Sequence, residues 1–161
     1  MEWTDSQRKR YRPLTLFLLA CLVTGAAASQ FADAALPTWY AGLLHPAITP
    51  PDWVFAPVWT ALYVMMAVAA WRVWGKTGLK AAALYAFWVQ LFLNFCWSAI
   101  FFGLHRIDFA LAEIILLDVA ALVTLILFWS WDRIAGLLMA PYLAWSCFAT
   151  LLTYEFWRLN G

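Results

Sequence analysis

Two acidic residues lie inside long apolar segments and are the first candidates for chemistry in this sequence. Glu113 and Asp118 are the only acids within these segments, and an ionisable group there is a functional candidate because burying its charge is costly. Five residues on a helix separate the two by about 140°, so they do not form a carboxylate dyad for acid–base catalysis. Glu113 lies about one turn into its segment and could reach the interface. Asp118, about 15 Å deep, needs a structural hydrogen bond, a dimer contact or a cavity role.

No other set of residues has the spacing of a catalytic or metal site. Cys21, Cys96 and Cys147 are odd in number and show no C-x-x-C or Cys/His spacing, so neither a disulfide nor a structural zinc is expected. His45 and His105 could ligate haem iron, but both lie in predicted loops and are more typical of solvent-exposed interface histidines. The net charge of +1 and the lack of a glycine-rich phosphate loop argue against a nucleotide or nucleic-acid partner.

Aromatic and amide residues recur at helical spacing in three of the apolar segments. Residues three, four or seven apart share a helix face. The three faces are Trp59, Tyr63 and Met66; Gln90, Asn94 and Trp97; and Tyr142, Trp145, Ala149 and Thr153. The two amides must point at protein or at a cavity, either as interhelical hydrogen-bonding groups or as ligand contacts. Such a lining suits a planar, mostly apolar ligand of several hundred cubic ångströms.

Eleven of the twelve tryptophans fall into two groups by position. Those near the ends of apolar segments fit an aromatic belt at the membrane–water boundary, and they are Trp39, Trp53, Trp71, Trp74, Trp129, Trp131 and Trp157. A deeper indole needs an acceptor for its N–H. The deeper group, which holds the better pocket candidates, comprises Trp59, Trp88, Trp97 and Trp145.

A proline-rich segment precedes the second apolar run. Pro46, Pro50 and Pro51 fix φ and lack an N–H donor, so residues 44–51 should form a rigid, non-helical lid that ends where an apolar run begins at Val54. We expect this lid to lead directly into a pocket.

The elements that must position these residues are membrane helices. With 66% hydrophobic and only 12% charged residues, the chain has too little polar surface for a soluble domain. Five segments are long enough to cross a hydrocarbon core of about 30 Å, approximately 13–32, 53–71, 81–104, 109–131 and 134–154. The sequence therefore predicts an all-α, five-helix integral membrane bundle with a structured first loop, in one domain over residues 1–161. Small residues at 25–29 permit close packing in the bundle or in a dimer seam.

Five crossings divide the basic residues unevenly. Only Arg106 and Arg158 lie on the far side from the N-terminus. The eight on the near side are Arg8, Lys9, Arg10, Arg12, Arg72, Lys76, Lys80 and Arg133. By the positive-inside rule, the N-terminus is predicted to be cytoplasmic and the C-terminus outside.

The motifs around the aromatic faces resemble those of a known family. They are W-Y-A-G-L-x-x-P from Trp39 to Pro46, P-P-x-W-V-F-x-P-V-W-x-x-L-Y from Pro50 to Tyr63, Q-L-x-L-N-x-x-W from Gln90 to Trp97 with F-F-G at Phe101–Gly103, and P-Y-L-A-W-x-x-F-A-T from Pro141 to Thr150. Over almost its whole length the chain is similar to the TspO/translocator protein family, also called tryptophan-rich sensory proteins or peripheral-type benzodiazepine receptors. It looks like a bacterial member.

The resemblance implies a five-helix bundle, commonly a homodimer, that binds porphyrins and, in some members, haem or sterols beneath the first loop. For this chain it implies a sensor or regulator of porphyrin level or oxidative stress in the bacterial cell envelope, with protoporphyrin IX or haem as ligand and no required cofactor. Carried over by position, the ligand-binding residues are Tyr40, Trp59, Asn94, Trp97, Trp145 and Ala149. Family members usually have Lys where this chain has His45 and Trp where it has Ile48, which bears on lid closure and affinity.

Two further functions stay open beside binding. Trp59 and Trp145, near an excited porphyrin and oxygen, could take part in light-dependent porphyrin degradation, although no acid, base, nucleophile or metal set accompanies them. Alternatively the chain transports porphyrin or sterol, against which stand its small size and lack of repeats. Leu152, Tyr154 and Arg158 fit a cholesterol-recognition pattern, but an interfacial Tyr and Arg ending a helix would look the same.

Overall fold

The computed structural model describes residues 5–78 and 81–161, with side chains from Arg12 onward. Its five long helices are α1 (Asp5–Ala35), α2 (Phe55–Thr77), α3 (Ala82–Ser98), α4 (Ile107–Trp131) and α5 (Arg133–Asn160). All five are long and apolar enough to cross a membrane, α3 together with the π-helical turn that follows it. The prediction of an all-α bundle of five transmembrane helices is confirmed. Four basic groups of the predicted charge asymmetry lie outside the described part, namely the side chains of Arg8, Lys9 and Arg10, and Lys80.

The helices pack in an order that differs from their order in the chain. α1 contacts α2 and α3, α2 also contacts α5, and α4 lies between α3 and α5. Around the bundle the order is therefore α1, α2, α5, α4, α3. This arrangement lets α1, α2, α3 and α5 surround a common space, while no residue of α4 reaches it.

Buried apolar side chains form two clusters. The larger cluster closes the bundle around Met66, Phe87 and Phe128, all fully buried. The smaller one lies beside the first loop and includes Tyr40 and Phe156. The two clusters leave the space between the helices open only near the first loop.

The helices extend beyond the predicted spans. α2 continues to Thr77 and α5 to Asn160, whereas the apolar pattern predicted ends near residues 71 and 154. Hydropathy reports the hydrocarbon-buried part of a helix, and charged residues at the interface continue the helix without that signal. At the other end of α3, the π-helical turn Ala99–Gly103 leads to His105, which has a positive φ of 55°.

An ion-pair cluster ties the end of α2 to the junction of α4 and α5. Asp132 is the single residue between these two helices, and it caps α5 by accepting the backbone N–H groups of Ile134 (2.9 Å) and Ala135 (3.1 Å). Its carboxylate also pairs with Arg72 Nη2 (2.9 Å) and Lys76 Nζ (3.0 Å). Burial raises the pKa of Asp132, but hydrogen bonds from Lys76, the Ala135 backbone and Arg72 outweigh it and leave the pKa at about 2.

Replacing Asp132 with Asn should destabilise the bundle, because Arg72 and Lys76 lose their anionic partner while the cap is retained. We expect the free energy of unfolding to fall by about 1–3 kcal/mol near neutral pH. The pKa of Asp132 rises to an ordinary 3.8 on unfolding, so its charge stabilises the fold above about pH 4 and this stabilisation is lost as the pH falls towards about 2. Thermal melts of detergent-solubilised protein across this range measure both effects.

Asp108→Asn is the matched control. Asp108 pairs with Arg106 at 2.7 Å, but both side chains are about half exposed, so its loss should change the melting temperature little. Equal melting temperatures for wild type and Asp132→Asn would contradict the stabilising role given to the Asp132 carboxylate.

Candidate functional site

A cavity of about 520 Å³ lies beneath the first loop, between α1, α2, α3 and α5. Its volume is within the range of about 300–1,000 Å³ typical of small-molecule sites. The six residues that the family motifs assign to ligand binding all line it, namely Tyr40, Trp59, Asn94, Trp97, Trp145 and Ala149. Four different elements thus bring these residues to one space.

One polar contact fixes the wall between α2 and α3. The Tyr63 hydroxyl donates to Asn94 Oδ1 at 2.5 Å, and Asn94 is only 3% exposed. Trp59 lies above this pair, with its ring centroid 5.6 Å from that of Tyr63. The second predicted amide, Gln90, does not line the cavity. It is fully buried, with Nε2 3.8 Å from the Met66 sulfur.

Each of the three predicted faces is divided by depth. The members nearer the first loop line the cavity, whereas Met66, Gln90 and Tyr142 are fully buried in the core beneath it. The periodicity therefore identified the correct helix faces but extended them about one turn too far. The cavity occupies only the half of the bundle next to the loop.

Ten of the residues that line the cavity are aromatic. Trp97 stacks on Phe101 with centroids 5.3 Å apart, and Trp145 lies 5.4 Å from Phe148 and 6.0 Å edge-on from Phe55. Trp97 Nε1 is buried and has no acceptor among the described residues. The site thus offers flat apolar surface to a ligand.

The proline-rich segment is non-helical, as predicted, but the first loop meets the cavity through Tyr40 and Asp52 on either side of this segment, and none of residues 43–51 lines it. Residues 43–51 are non-helical, between the 3₁₀ turns Tyr40–Gly42 and Asp52–Val54. Tyr40 packs beneath the loop against Phe156, with centroids 5.3 Å apart. Burial and the nearby Asp52 carboxylate raise the pKa of Tyr40 to about 12, so its hydroxyl stays neutral. The loop is thus anchored to α5 by a buried aromatic contact.

A side chain at the end of α5 closes the loop against the bundle. Asn160 Oδ1 accepts the Leu44 backbone N–H at 2.8 Å, and Asn160 Nδ2 donates to the Leu44 carbonyl at 3.0 Å. The amide thus pairs with both backbone groups of one loop residue, and we call this pairing the Asn160 latch. Beside it, the Tyr40 carbonyl accepts from His45 Nε2 at 3.2 Å.

Two expectations about interhelical groups are corrected by the structure. Trp88, a predicted pocket candidate, is 40% exposed on the outside of the bundle, where it stacks on Phe17. Glu113 does not reach the interface, because both carboxylate oxygens are buried and have no partner among the described residues. A helical period fixes an angle around one helix, but the neighbouring helix decides what that angle faces.

Asp118 makes the structural hydrogen bonds that its depth required. Ser146 Oγ donates to Asp118 Oδ1 at 2.5 Å, and Thr150 Oγ1 donates to Oδ2 at 2.7 Å. Both donors lie on α5, so the pair of bonds joins α4 to α5. Asp118 does not line the cavity.

The residues of the cholesterol-recognition pattern are split between two surfaces. Leu152 is buried and lines the cavity, whereas Tyr154 is exposed. Arg158 pairs with Glu155 at 2.6 Å. The structure therefore does not bring the three residues together.

The cavity lacks the usual axial ligands of haem. Neither His45 nor His105 lines it, and the lining contains no Cys or Met. His105 instead stacks on Trp39 with centroids 4.4 Å apart. Within the described residues, no group of three or more His, Cys, Asp or Glu could hold a metal ion.

Sequence reasoning missed the contribution of α1. Small residues at positions 25–29 were expected to permit helix packing, and Gly25 does so, since a Cβ there would lie 2.5 Å from the Tyr63 ring. Neighbouring small residues also line the cavity, as do Asp33 and Leu36. The signal on α1 was the run of small residues at positions 25–29, which leaves space for the cavity and does not itself supply a large contact surface to a ligand.

Comparisons with known proteins agree with the motifs. A model of the TspO/MBR family matches residues 17–158. The chain is 40% identical over 153 residues to Tryptophan-rich protein TspO of Archaeoglobus fulgidus (92% of this chain, 97% of that protein). It is 38% identical over 146 residues to Translocator protein of Homo sapiens (88% and 84%). It is 41% identical over 145 residues to Tryptophan-rich sensory protein of Cereibacter sphaeroides (89% of each).

Replacing Asn160 with Ala should loosen the loop, since both hydrogen bonds to Leu44 are lost. Because each such bond contributes about 0.5–1.5 kcal/mol net, hydrogen–deuterium exchange in peptides covering residues 42–50 should accelerate roughly tenfold. Arg158→Gln is the control on the same last turn of α5, because Arg158 hydrogen-bonds only Glu155. Unchanged exchange in Asn160→Ala would show that the latch does not hold the loop.

Proposed function

Since the chain belongs to the TspO/MBR family, we propose that it is a multi-pass membrane protein that binds a tetrapyrrole in the cavity beneath its first loop. The observation that carries this proposal is the convergence of the six motif residues on one cavity of about 520 Å³. We propose further that binding serves to sense or regulate the level of porphyrin or the response to oxidative stress. One relative is named a tryptophan-rich sensory protein, which supports this role.

The shape of the lining supports a flat ligand. Two ring pairs line the cavity, Trp59 with Tyr63 on α2 and Trp97 with Phe101. Large rings offer extensive apolar contact at small entropic cost, because each ring is already packed against a neighbour. A macrocycle would gain most of its binding free energy from this contact, while the few polar groups would fix its orientation.

The first loop is the element through which we propose that ligand binding is signalled to a partner. It is attached to the bundle by the Asn160 latch and by Tyr40, and Tyr40 lines the cavity. A ligand that contacts Tyr40 shifts the population of loop conformations only if it binds one conformation more tightly than the other. We propose that ligand occupancy orders the loop, and that a homodimer partner or another protein reads this surface.

Light-dependent degradation of porphyrin is a second candidate, favoured by one observation. Trp59 and Trp145, the two residues assigned to photo-oxidation, both line the cavity, where an excited macrocycle and molecular oxygen could reach them. No acid–base or nucleophilic set accompanies them among the lining residues. Transport has no comparable support, and the cholesterol-recognition residues do not converge.

Protoporphyrin IX titrated into detergent-purified protein in the dark should quench Trp fluorescence saturably in the micromolar range. Ala149→Phe should weaken binding about tenfold, because an added ring occupies space beside Trp145. The double variant Asn94→Ala, Trp145→Ala should abolish saturation. Trp88→Ala, which removes an indole from the outer surface, should bind like the wild type. Absence of saturable quenching in the wild type would contradict the proposal.

Conservative Trp59→Phe and Trp145→Phe changes distinguish binding from photochemistry. Phe keeps an aromatic surface, so the dark dissociation constant should change less than about threefold, well below the cost of a lost ring contact. If the indoles react, illumination of the wild type should bleach the porphyrin absorbance and each variant should bleach more slowly, with Trp88→Phe unchanged. Equal bleaching in all four proteins would exclude this role for the indoles.

A further inference from the structure

Carboxylates are the only charged groups that line the cavity. Asp33 on α1 and Asp52 in the 3₁₀ turn before α2 are the two ionisable lining residues besides tyrosines. Both are exposed and lie at the end of the cavity next to the first loop, which we call the mouth. Neither forms a salt bridge within the described parts of the chain. The mouth therefore carries two uncompensated negative charges.

Basic residues at the same end of the bundle are engaged elsewhere. Arg106 pairs with Asp108 at 2.7 Å and Arg158 with Glu155 at 2.6 Å. Neither arginine lines the cavity, and His45 lies outside the lining as well. Among the residues that the structure describes, no lining cation is available to a ligand carboxylate.

The deeper part of the cavity cannot take a charged group either. No cationic side chain lines it, and much of its lining is aromatic. The hydroxyls of Thr60 and Thr153 donate to backbone carbonyls on their own helices, and the Tyr63 hydroxyl donates to Asn94 Oδ1, so none of these three hydroxyls is left to bond a carboxylate. An ionised edge left without partners there would be costly. The charged edge of a planar ligand must therefore lie at the mouth, beside Asp33 and Asp52.

We propose that Asp33 and Asp52 make the cavity selective for a planar macrocycle whose mouth-facing edge is uncharged or positively charged, as in an esterified or amidated tetrapyrrole, over the free dicarboxylate. This inference rests on the proposed function. Like charges several ångströms apart in a partly dehydrated site repel strongly enough to lower affinity about tenfold. Repulsion of the wrong ligand is a common source of specificity.

Three ligands with one macrocycle test the inference. Protoporphyrin IX carries two carboxylates, its dimethyl ester carries none, and its bis(aminoethyl)amide carries two ammonium groups. We would measure dissociation constants by Trp quenching in the dark, in a non-ionic detergent at fixed micelle concentration, at low and high salt. In the wild type we expect the ester and the diamine to bind about tenfold more tightly than the diacid. High salt should improve binding of the diacid alone and weaken that of the diamine.

Partitioning of a ligand into detergent micelles differs between the three ligands but is the same for every protein variant. Comparing variants that lack the aspartate charges therefore separates local repulsion from partitioning. The variant Asp33→Asn, Asp52→Asn should tighten diacid binding about tenfold and leave ester binding unchanged. Glu155→Gln is the matched control, because it removes a negative charge from the same end of the bundle at a residue that does not line the cavity. It should leave the ratio of diacid to ester affinity as in the wild type.

Each outcome is decisive. A diacid-to-ester ratio that is the same in wild type and double Asn variant would overturn the inference, while saturable binding of both ligands would leave the proposed function intact. A ratio that shifts equally in Glu155→Gln would also overturn it, since the effect would then be one of net charge. Failure of all three ligands to quench saturably would instead overturn the proposed function.

Discussion

Polar groups in the hydrocarbon core of a bilayer have no water to bond with, and this constraint governs how the protein is built. The backbone meets it by forming five helices. Side chains meet it by pairing across helices, as Asp118 does with Ser146 and Thr150 and Tyr63 does with Asn94. These bonds join α4 to α5 and α2 to α3. In the cavity lining, α1 contributes mostly small side chains, including Gly25, Ala28 and Ala32, which leaves room between the helices.

The two ends of the bundle are stabilised by different means. At one end Asp132 combines a helix cap with ion pairs to Arg72 and Lys76, so that the junction of α4 and α5 is tied to α2. At the other end the first loop is held by one amide side chain and by ring packing around Tyr40. The first arrangement rests on charged groups around a buried carboxylate, whereas the second rests on a neutral amide and on buried ring packing.

In the proposed binding site, affinity and selectivity would come from different residues. Rings on α2, α3 and α5 supply contact area that is indifferent to the substituents of a flat ligand. The charges at the mouth act on those substituents alone. Such a division lets a single fold keep its aromatic walls while a few mouth residues change which ligand is preferred.

Composition and the length of the apolar segments were enough to predict five membrane helices, because charge is costly to bury in the bilayer and spanning segments therefore contain few charged residues. Helical periodicity was also enough to identify the faces of α2, α3 and α5 that carry Trp59, Asn94 and Trp145, since residues on one face recur at a fixed spacing. Proline positions predicted the non-helical first loop for a similar local reason. The family motifs then singled out residues that the structure brings together in one cavity.

Only the tertiary structure decided how far along each face the cavity extends, and it left Gln90 in the core and Trp88 on the outer surface. It also brought Asn160 to Leu44 across 116 residues of sequence and placed Asp33 beside the aromatic walls. These facts depend on which helix lies next to which. Spacing along one helix determines which direction a side chain points, but only the packing of its neighbours determines what it meets there.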